Sequence, residues 1–236
     1  MIGVVGPGAR AEELAASIDG VEFAAGTVDE VLAAGPEVVV AVGEPAASAL
    51  VDAGVDVPVL PVGAGPGLES VSPERAGAVL ETGTASGFHI RERPVLEASI
   101  DGTTCGRGLF DAMLVTSEPA RISEYAVGSA GWAERFRADG VVVSTPAGSF
   151  GYSRAVGGPV LDPGAGSLAV VPVAAFALRS TVRVVDAEAI LEVSVERDEG
   201  DVTLLVDGGE RGHVPARHPV TIEVSGSVET VIDPGQ

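Results

Sequence analysis

From Met1 to about Thr84, short apolar runs alternate with alanine-rich stretches. Gly3-Val4-Val5, residues 37–42 (EVVVAV) and residues 57–62 read as strands, the second of them buried on both faces. β-branched runs bounded by turn residues favour extended backbone. Between them, residues 11–18 read as a helix, residues 31–34 as the end of a second and residues 46–53 as a third. Ser72 and Pro73 predict the start of a fourth. A serine suits the cap, and proline suits the first position, where its missing N–H leaves nothing unpaired. Strands and helices alternating at this length predict a parallel sheet with helices on both faces.

After about Gly87 the pattern changes to strands separated by turns. Strands are predicted over residues 95–100, 108–116, 140–144, 167–173, 181–185, 190–196, 202–206 and 221–224. Alternation is plain in Glu192-Val193-Ser194-Val195-Glu196. Trp132 and Phe136, four apart in residues 130–137, predict one helical turn. The expectation is an α/β N-terminal domain over residues 1–86 and a β-rich, β-sandwich-like C-terminal domain over residues 87–236. The boundary, near residues 84–88, leaves no room for a long linker.

With 236 residues the chain can bury a sizeable core. It contains no apolar run of about 18 residues, so no membrane span is expected. MIGVVG at the start lacks the basic flank and long apolar region of a signal peptide. A single cysteine, Cys105, excludes an internal disulfide, and a cytoplasmic location is expected. Charge changes the picture more. There are 34 acidic residues against 14 basic ones, all arginine, for a net charge of −20. Nucleic acid and anionic membranes are therefore not expected partners, because phosphate is neutralised by clustered Lys or Arg. An acidic, lysine-free surface over an ordinary core looks like a protein from a salt-loving archaeon, where salt screens self-repulsion. An acidic protein from a genome that favours arginine codons is the other reading.

The candidate chemistry is concentrated in residues 139–163, DGVVVSTPAGSFGYSRAVGGPVLDP. An apolar run leads into a loop of hydroxyls, glycines and one tyrosine, with a second turn at Gly157-Gly158-Pro159. This segment resembles the signature loop of the NAD kinase family, DG-[apolar]-STPTGSTAYS…GGP. Residues 57–63 with 65–68 resemble the family's strand and glycine loop, P-[apolar]-LGIN-x-G-x-x-GFL. RERPVL at residues 91–96 is similar to its ER-x-x-L, Leu109-Phe110-Asp111 to its LNE, and Leu205-Val206-Asp207-Gly208 to its closing DG.

The resemblance implies an α/β domain followed by a β-rich domain that binds NAD. It implies phosphoryl transfer from ATP or polyphosphate to the 2′-hydroxyl of the adenosine ribose of NAD, giving NADP. A divalent metal (Mg²⁺) is expected on the nucleotide phosphates rather than in a protein cage, and a homodimer or homotetramer is expected. The family's GGDGT loop, which follows a buried strand, is matched by Gly43-Glu44-Pro45, with Glu44 as the carboxylate that orients or deprotonates the hydroxyl. The acceptor positions are Asp111, Arg137, Asp139, Phe150, Gly151, Tyr152, Ser153 and Ala155, with Asp139 toward the nicotinamide half of NAD.

Two departures bear on catalysis. Pro45 offers no N–H to a phosphate, and Phe110 removes an amide. Glu44 and Pro45 can equally be read as the cap and start of a helix; Phe110 also reads as core, and the alternative for Tyr152 is a half-buried core tyrosine. Three functions stay open: an NAD kinase, a relative that binds NAD(P) as a sensor or regulatory subunit without phosphoryl transfer, and a structural subunit. Asp207 reads as a turn former before Gly208. Gly6-Pro7-Gly8 lacks the third glycine of a dinucleotide loop and reads as a turn. His89, Cys105, His213 and His218 do not make a metal pattern, and no hydrolase context surrounds Ser153.

Overall fold

The computed structural model describes residues 1–8, 22–118, 121–176 and 182–235. The helix expected over residues 11–18 lies outside them, as does Thr181. The chain divides into two compact units, Met1–Arg93 with Ser227–Gln236, and Pro94–Gly226.

In the first unit, Ile2–Val5 (β1), Phe23–Ala25 (β2), Val38–Val42 (β3) and Val59–Val62 (β4) form a parallel sheet in the order β2-β1-β3-β4. All five residues of β3 are buried, as a strand covered on both faces requires. Val38, Val40 and Val42 point into one core with Leu60, Val62 and Leu80, each valine contributing about 1.5–3 kcal/mol by leaving water.

Helix α1, Val28–Ala33, opens with a capping box, in which Thr27 and Glu30 exchange side chain-to-backbone bonds. Helix α2 spans Glu44–Asp52 and α3 spans Pro73–Ser86, with Ser72 at the cap position. Near the C-terminus, Thr230 pairs in parallel with Val59 of β4, which draws the last segment into this unit.

The second unit is antiparallel. Ile90–Ile100 (β5) runs through the division at Arg93 and pairs beyond it with Thr103–Gly108 (β6). Asp111–Thr116 (β7) follows a break at Leu109 and Phe110, where a single strand over residues 108–116 was expected. The break has a cause outside the strand: the Asp207 carboxylate takes the N–H groups of Leu109, Phe110 and Asp111. Ser123–Ser129 (β8) and Trp132–Ala138 (β9) form a hairpin. Trp132 and Phe136 thus lie on a strand and not on the helical turn expected. A four-residue spacing shares a face at period 2 as well as at period 3.6.

Gly140–Ser144 (β10), Ser167–Val173 (β11), Arg183–Asp186 (β12), Leu191–Arg197 (β13), Val202–Val206 (β14), Gly209–His213 (β15) and Pro219–Val231 (β16) complete the strands. One sheet has the order β12-β11-β10-β7-β14-β15. Facing it, β13 pairs with β8 on one side and with the first half of β16 on the other. The β-sandwich expected from the pattern is present. Val141 and Val143 pack inward with Leu114, Leu168 and Leu204, while Val142 packs outward with Leu161 and Val171. That two-sided burial explains why β10 is an unbroken apolar run. Among the described residues no helix is long and apolar enough to cross a membrane.

Candidate functional site

In the first unit, chain order reverses between β1 and β3, which makes their carboxyl ends the switch point at which open α/β sheets hold ligands. Gly6 closes β1 so near β3 that a Cβ would stand 2.6 Å from Cβ of Val42. A cleft of about 550 Å³ opens here, lined by Gly6, Pro7, Thr27, Pro45 and Ala46 among others. On its β3 side Gly43, at φ 87°, is the cap of α2 and has no side chain to bond the first helical N–H groups. Glu44 is therefore the first helical residue and not the cap, and Pro45 is the second. The missing N–H of Pro45 falls where helices have no internal partner anyway, so the fold tolerates it.

The exposed Glu44 carboxylate leans over the neighbouring loop. Its Oε1 lies where a Cβ on Gly65 would come within 2.8 Å. Gly63 and Gly65 have φ of 61° and 79°, a region open to glycine at low cost. Gly63 N–H donates to Val71 O at 3.0 Å and Ala64 N–H to Ser70 Oγ at 3.1 Å. Glu69 ends the loop in the left-handed region, at φ 51°, and its Oε2 meets two arginines, Arg91 Nε at 2.7 Å and Arg93 Nη2 at 2.6 Å. The Arg93 side chain is 1 % exposed and also donates to Leu68 O and Thr230 Oγ1, each at 3.2 Å. Burial pushes the Arg93 guanidinium down from its ordinary value, and Glu69 pushes it back.

In the second unit two loops lock together beside the end of β10. Asp207, at the turn between β14 and β15, accepts N–H from Leu109 at 2.8 Å through Oδ2, and from Phe110 at 2.8 Å and Asp111 at 3.0 Å through Oδ1. The turn former expected from the sequence is thus also the clamp of the Leu109–Asp111 bend. Thr145 Oγ1 donates to Leu109 O at 2.7 Å, Thr145 N–H donates to Phe110 O at 2.9 Å, and Gly148 N–H returns a bond to Thr145 Oγ1 at 3.2 Å. The approach is so close that a Cβ on Gly148 would stand 2.0 Å from Phe110 O. Ser149 fixes the far side, donating to Pro146 O and accepting from Leu161 N–H.

On this base stands a short helix, Tyr152–Ala155 (α4). Tyr152 is 46 % exposed, Gly151 and Ala155 are exposed, Phe150 is half-buried and Ser153 is buried. Asp111 pairs with Ser144 across β7 and β10, so Asp111, Phe150, Gly151, Tyr152, Ser153 and Ala155 gather at one end of β10.

Arg137 and Asp139 do not join them. Asp139 precedes β10, roughly 16 Å along the strand from Ser144 at about 3.3 Å per residue. Its backbone bonds Thr116 and Val173, and Arg137 pairs with Glu199 at 2.8 Å. Among the described residues no three His, Cys, Asp or Glu side chains gather to hold a metal ion. Thr145, Ser149, Glu69 and Arg93 were not singled out from sequence. Thr145 and Ser149 lie inside the signature loop, Arg93 in RERPVL and Glu69 just past the glycine loop, and nothing in the spelling distinguishes a lock from a ligand contact.

Residues 105–233 match the family model of the ATP-NAD kinase C-terminal domain, which is more than half of the chain. The chain belongs to the NAD kinase family. It is 33 % identical to the NAD kinase of Methanoculleus marisnigri over 159 residues, 67 % of this chain and 58 % of that protein. For three such archaeal relatives the chain spans only 55–61 % of their length. Two crystal structures share the fold. An NAD kinase from Archaeoglobus fulgidus in complex with ATP has a TM-score of 0.79 at 22 % identity, covering 99 % of this chain and 94 % of that one. Yeast NADH kinase complexed with NADH has a TM-score of 0.79 at 17 % identity, covering 98 % and 74 %.

Proposed function

We propose that this protein transfers a phosphoryl group from ATP or polyphosphate to the 2′-hydroxyl of the adenosine ribose of NAD, giving NADP. The observation that carries the reading is the double-loop lock in the second unit. It holds Asp111 and an exposed Tyr152 at one end of β10, within the span that matches the kinase domain. Such preorganisation suits a reaction whose catalysis is mostly positioning and charge stabilisation. Asp111 and residues 150–155 take the adenosine end of NAD, and Asp139, at the other end of β10, is assigned to the nicotinamide half. Arg137 is assigned a structural role through Glu199. Glu44 takes the hydroxyl proton as O2′ attacks the terminal phosphorus and the donor's bridging oxygen departs. Mg²⁺ bound to the donor would neutralise charge on its phosphates. The acidic, lysine-free composition fits a working environment of concentrated salt.

NADP formation from NAD with ATP or polyphosphate and Mg²⁺ in molar KCl tests the reading. Turnover that Glu44→Gln abolishes while NAD affinity persists is the expected result, and an unchanged rate removes Glu44 from the chemistry. Pro45 favours a second reading, an NAD(P)-binding relative without transfer, since a proline beside the carboxylate has no N–H for a donor phosphate. That reading expects a silent wild type whose melting temperature NAD or NADP still raises. It also expects Pro45→Gly with Glu44→Asp to restore activity.

A further inference from the structure

We propose that Glu69 and Arg93 are positioning residues for the Glu44 carboxylate, acting through the loop at residues 63–70; this rests on the catalytic role proposed for Glu44. Glu44 Oε1 sits beside the Gly65 backbone, 2.8 Å from where a Cβ would stand, so the loop forms a floor next to the carboxylate. The height of that floor is set at both ends of the loop. At its start Gly63 and Ala64 are tied to Val71 and Ser70. At its end Glu69 is held in a left-handed conformation with its carboxylate between Arg91 and Arg93. Arg93 is the rigid member. It is buried, its guanidinium also reaches Leu68 O and Thr230 Oγ1, and Thr230 is itself paired to β4. A planar guanidinium with several bonds fixed is a stiff reference point. Glu69 transmits that reference across the loop to Gly65, and Gly65 to Glu44.

The Glu69–Arg93 pair joins a buried guanidinium to a partly exposed carboxylate, so the desolvation of Arg93 offsets much of the attraction. Its use here is geometric. Glu69→Asp keeps the charge and shortens the reach by one methylene, so the loop end must shift by about 1 Å to keep Arg93 paired. A shift of that size at the base costs on the order of a hundredfold in rate.

Expected for Glu69→Asp and Arg93→Lys is a ten- to hundredfold fall in kcat for NADP formation with KM for NAD within twofold. In a Glu44→Asp background, Glu69→Asp should add less than a twofold loss, since the base is already out of register. Equal losses in both backgrounds, or an unchanged kcat, would overturn the proposal. The carboxyl ¹³C resonance of Glu44, identified by its disappearance in Glu44→Gln, gives a readout independent of turnover. It moves in Glu69→Asp if the loop positions it and stays fixed if not. A wild type that makes no NADP therefore refutes the proposed activity without silencing this test.

Discussion

Asp207 offers a direct test of how the second unit holds its loops. Its two carboxylate oxygens accept three backbone N–H groups, from Leu109, Phe110 and Asp111, at 2.8–3.0 Å. Hydrogen bonds to a charged acceptor contribute roughly 1.5–3 kcal/mol each. Two of these share Oδ1, so the set is worth less than three independent bonds. In Asp207→Asn the amide oxygen can keep Phe110 and Asp111, but the NH₂ then faces the N–H of Leu109. One charge-assisted bond is lost outright and two are weakened, about 2–3 kcal/mol in all.

Backbone strain does not confuse the result. Asp207 sits at φ 49°, and asparagine tolerates this region about as well as aspartate. Asp207→Ala removes all three acceptors and leaves three N–H groups without partners, so about 4–5 kcal/mol is expected. Against a typical domain stability of about 5–15 kcal/mol, alanine should bring the unit close to unfolding. Urea denaturation followed by circular dichroism at fixed KCl measures this, with a lower midpoint and an unchanged m-value. An Asp207→Asn protein within 0.5 kcal/mol of wild type would mean that the three contacts are not a clamp, and the account of the break at Leu109 would fall with it.

Gly148→Ala forces a Cβ against Phe110 O at 2.0 Å, so the loops must part by about 1 Å. NADP formation should fall on the order of a hundredfold, and a rate within threefold of wild type would show that the lock is not needed. Tyr125, bonded to Thr116 at 2.9 Å, has its phenol pushed up by burial, with Thr116 and Ser123 opposing. The folded state keeps this proton at a pH where the unfolded chain has lost it. Stability is therefore unaffected below about pH 10 and falls as pH rises from there toward the raised folded value. Tyr125→Phe should make the alkaline slope of unfolding free energy shallower, and an identical slope would exclude Tyr125 as its source. With a net charge of −20, raising KCl from 0.1 to 1 M shortens the Debye length from about 10 to about 3 Å and should raise the melting temperature. A flat response would show that self-repulsion does not limit stability.

What could be read beforehand follows from how local each feature is. β10, β11 and β14 are marked by their own β-branched residues, and the structure gives them the expected bounds of residues 140–144, 167–173 and 202–206. β8 and β9 are written in mixed residues such as SEYAVGS and WAERFRA, whose strand form depends on pairing with each other and with β13. Trp132 and Phe136 misled because their spacing satisfies two periods at once. The break at Leu109 was invisible for another reason. Its cause is Asp207, 98 residues away, and no local pattern carries that distance. The same holds for Arg93, whose partners Glu69 and Thr230 are 24 and 137 residues distant. The signature loop was legible as a motif, but which of its residues face a ligand was not. Tyr152 is open to solvent while Thr145, Ser149 and Ser153 are buried, and all four are hydroxyl residues within nine positions.

Pro45 is where fold and chemistry separate most cleanly. For the fold it is nearly free. It occupies the second position of α2, where an N–H has no helical acceptor, and its ring restricts the unfolded chain. For phosphate binding the same missing N–H is a loss. Pro45→Gly therefore moves the two quantities in opposite directions. Stability should fall by about 0.5–1 kcal/mol as the unfolded chain regains freedom, while donor affinity should rise if a phosphate approaches this turn. A residue retained for folding alone would show the first effect without the second. One that tunes an active donor site would show both, and whether the donor KM falls or stays unchanged decides between them.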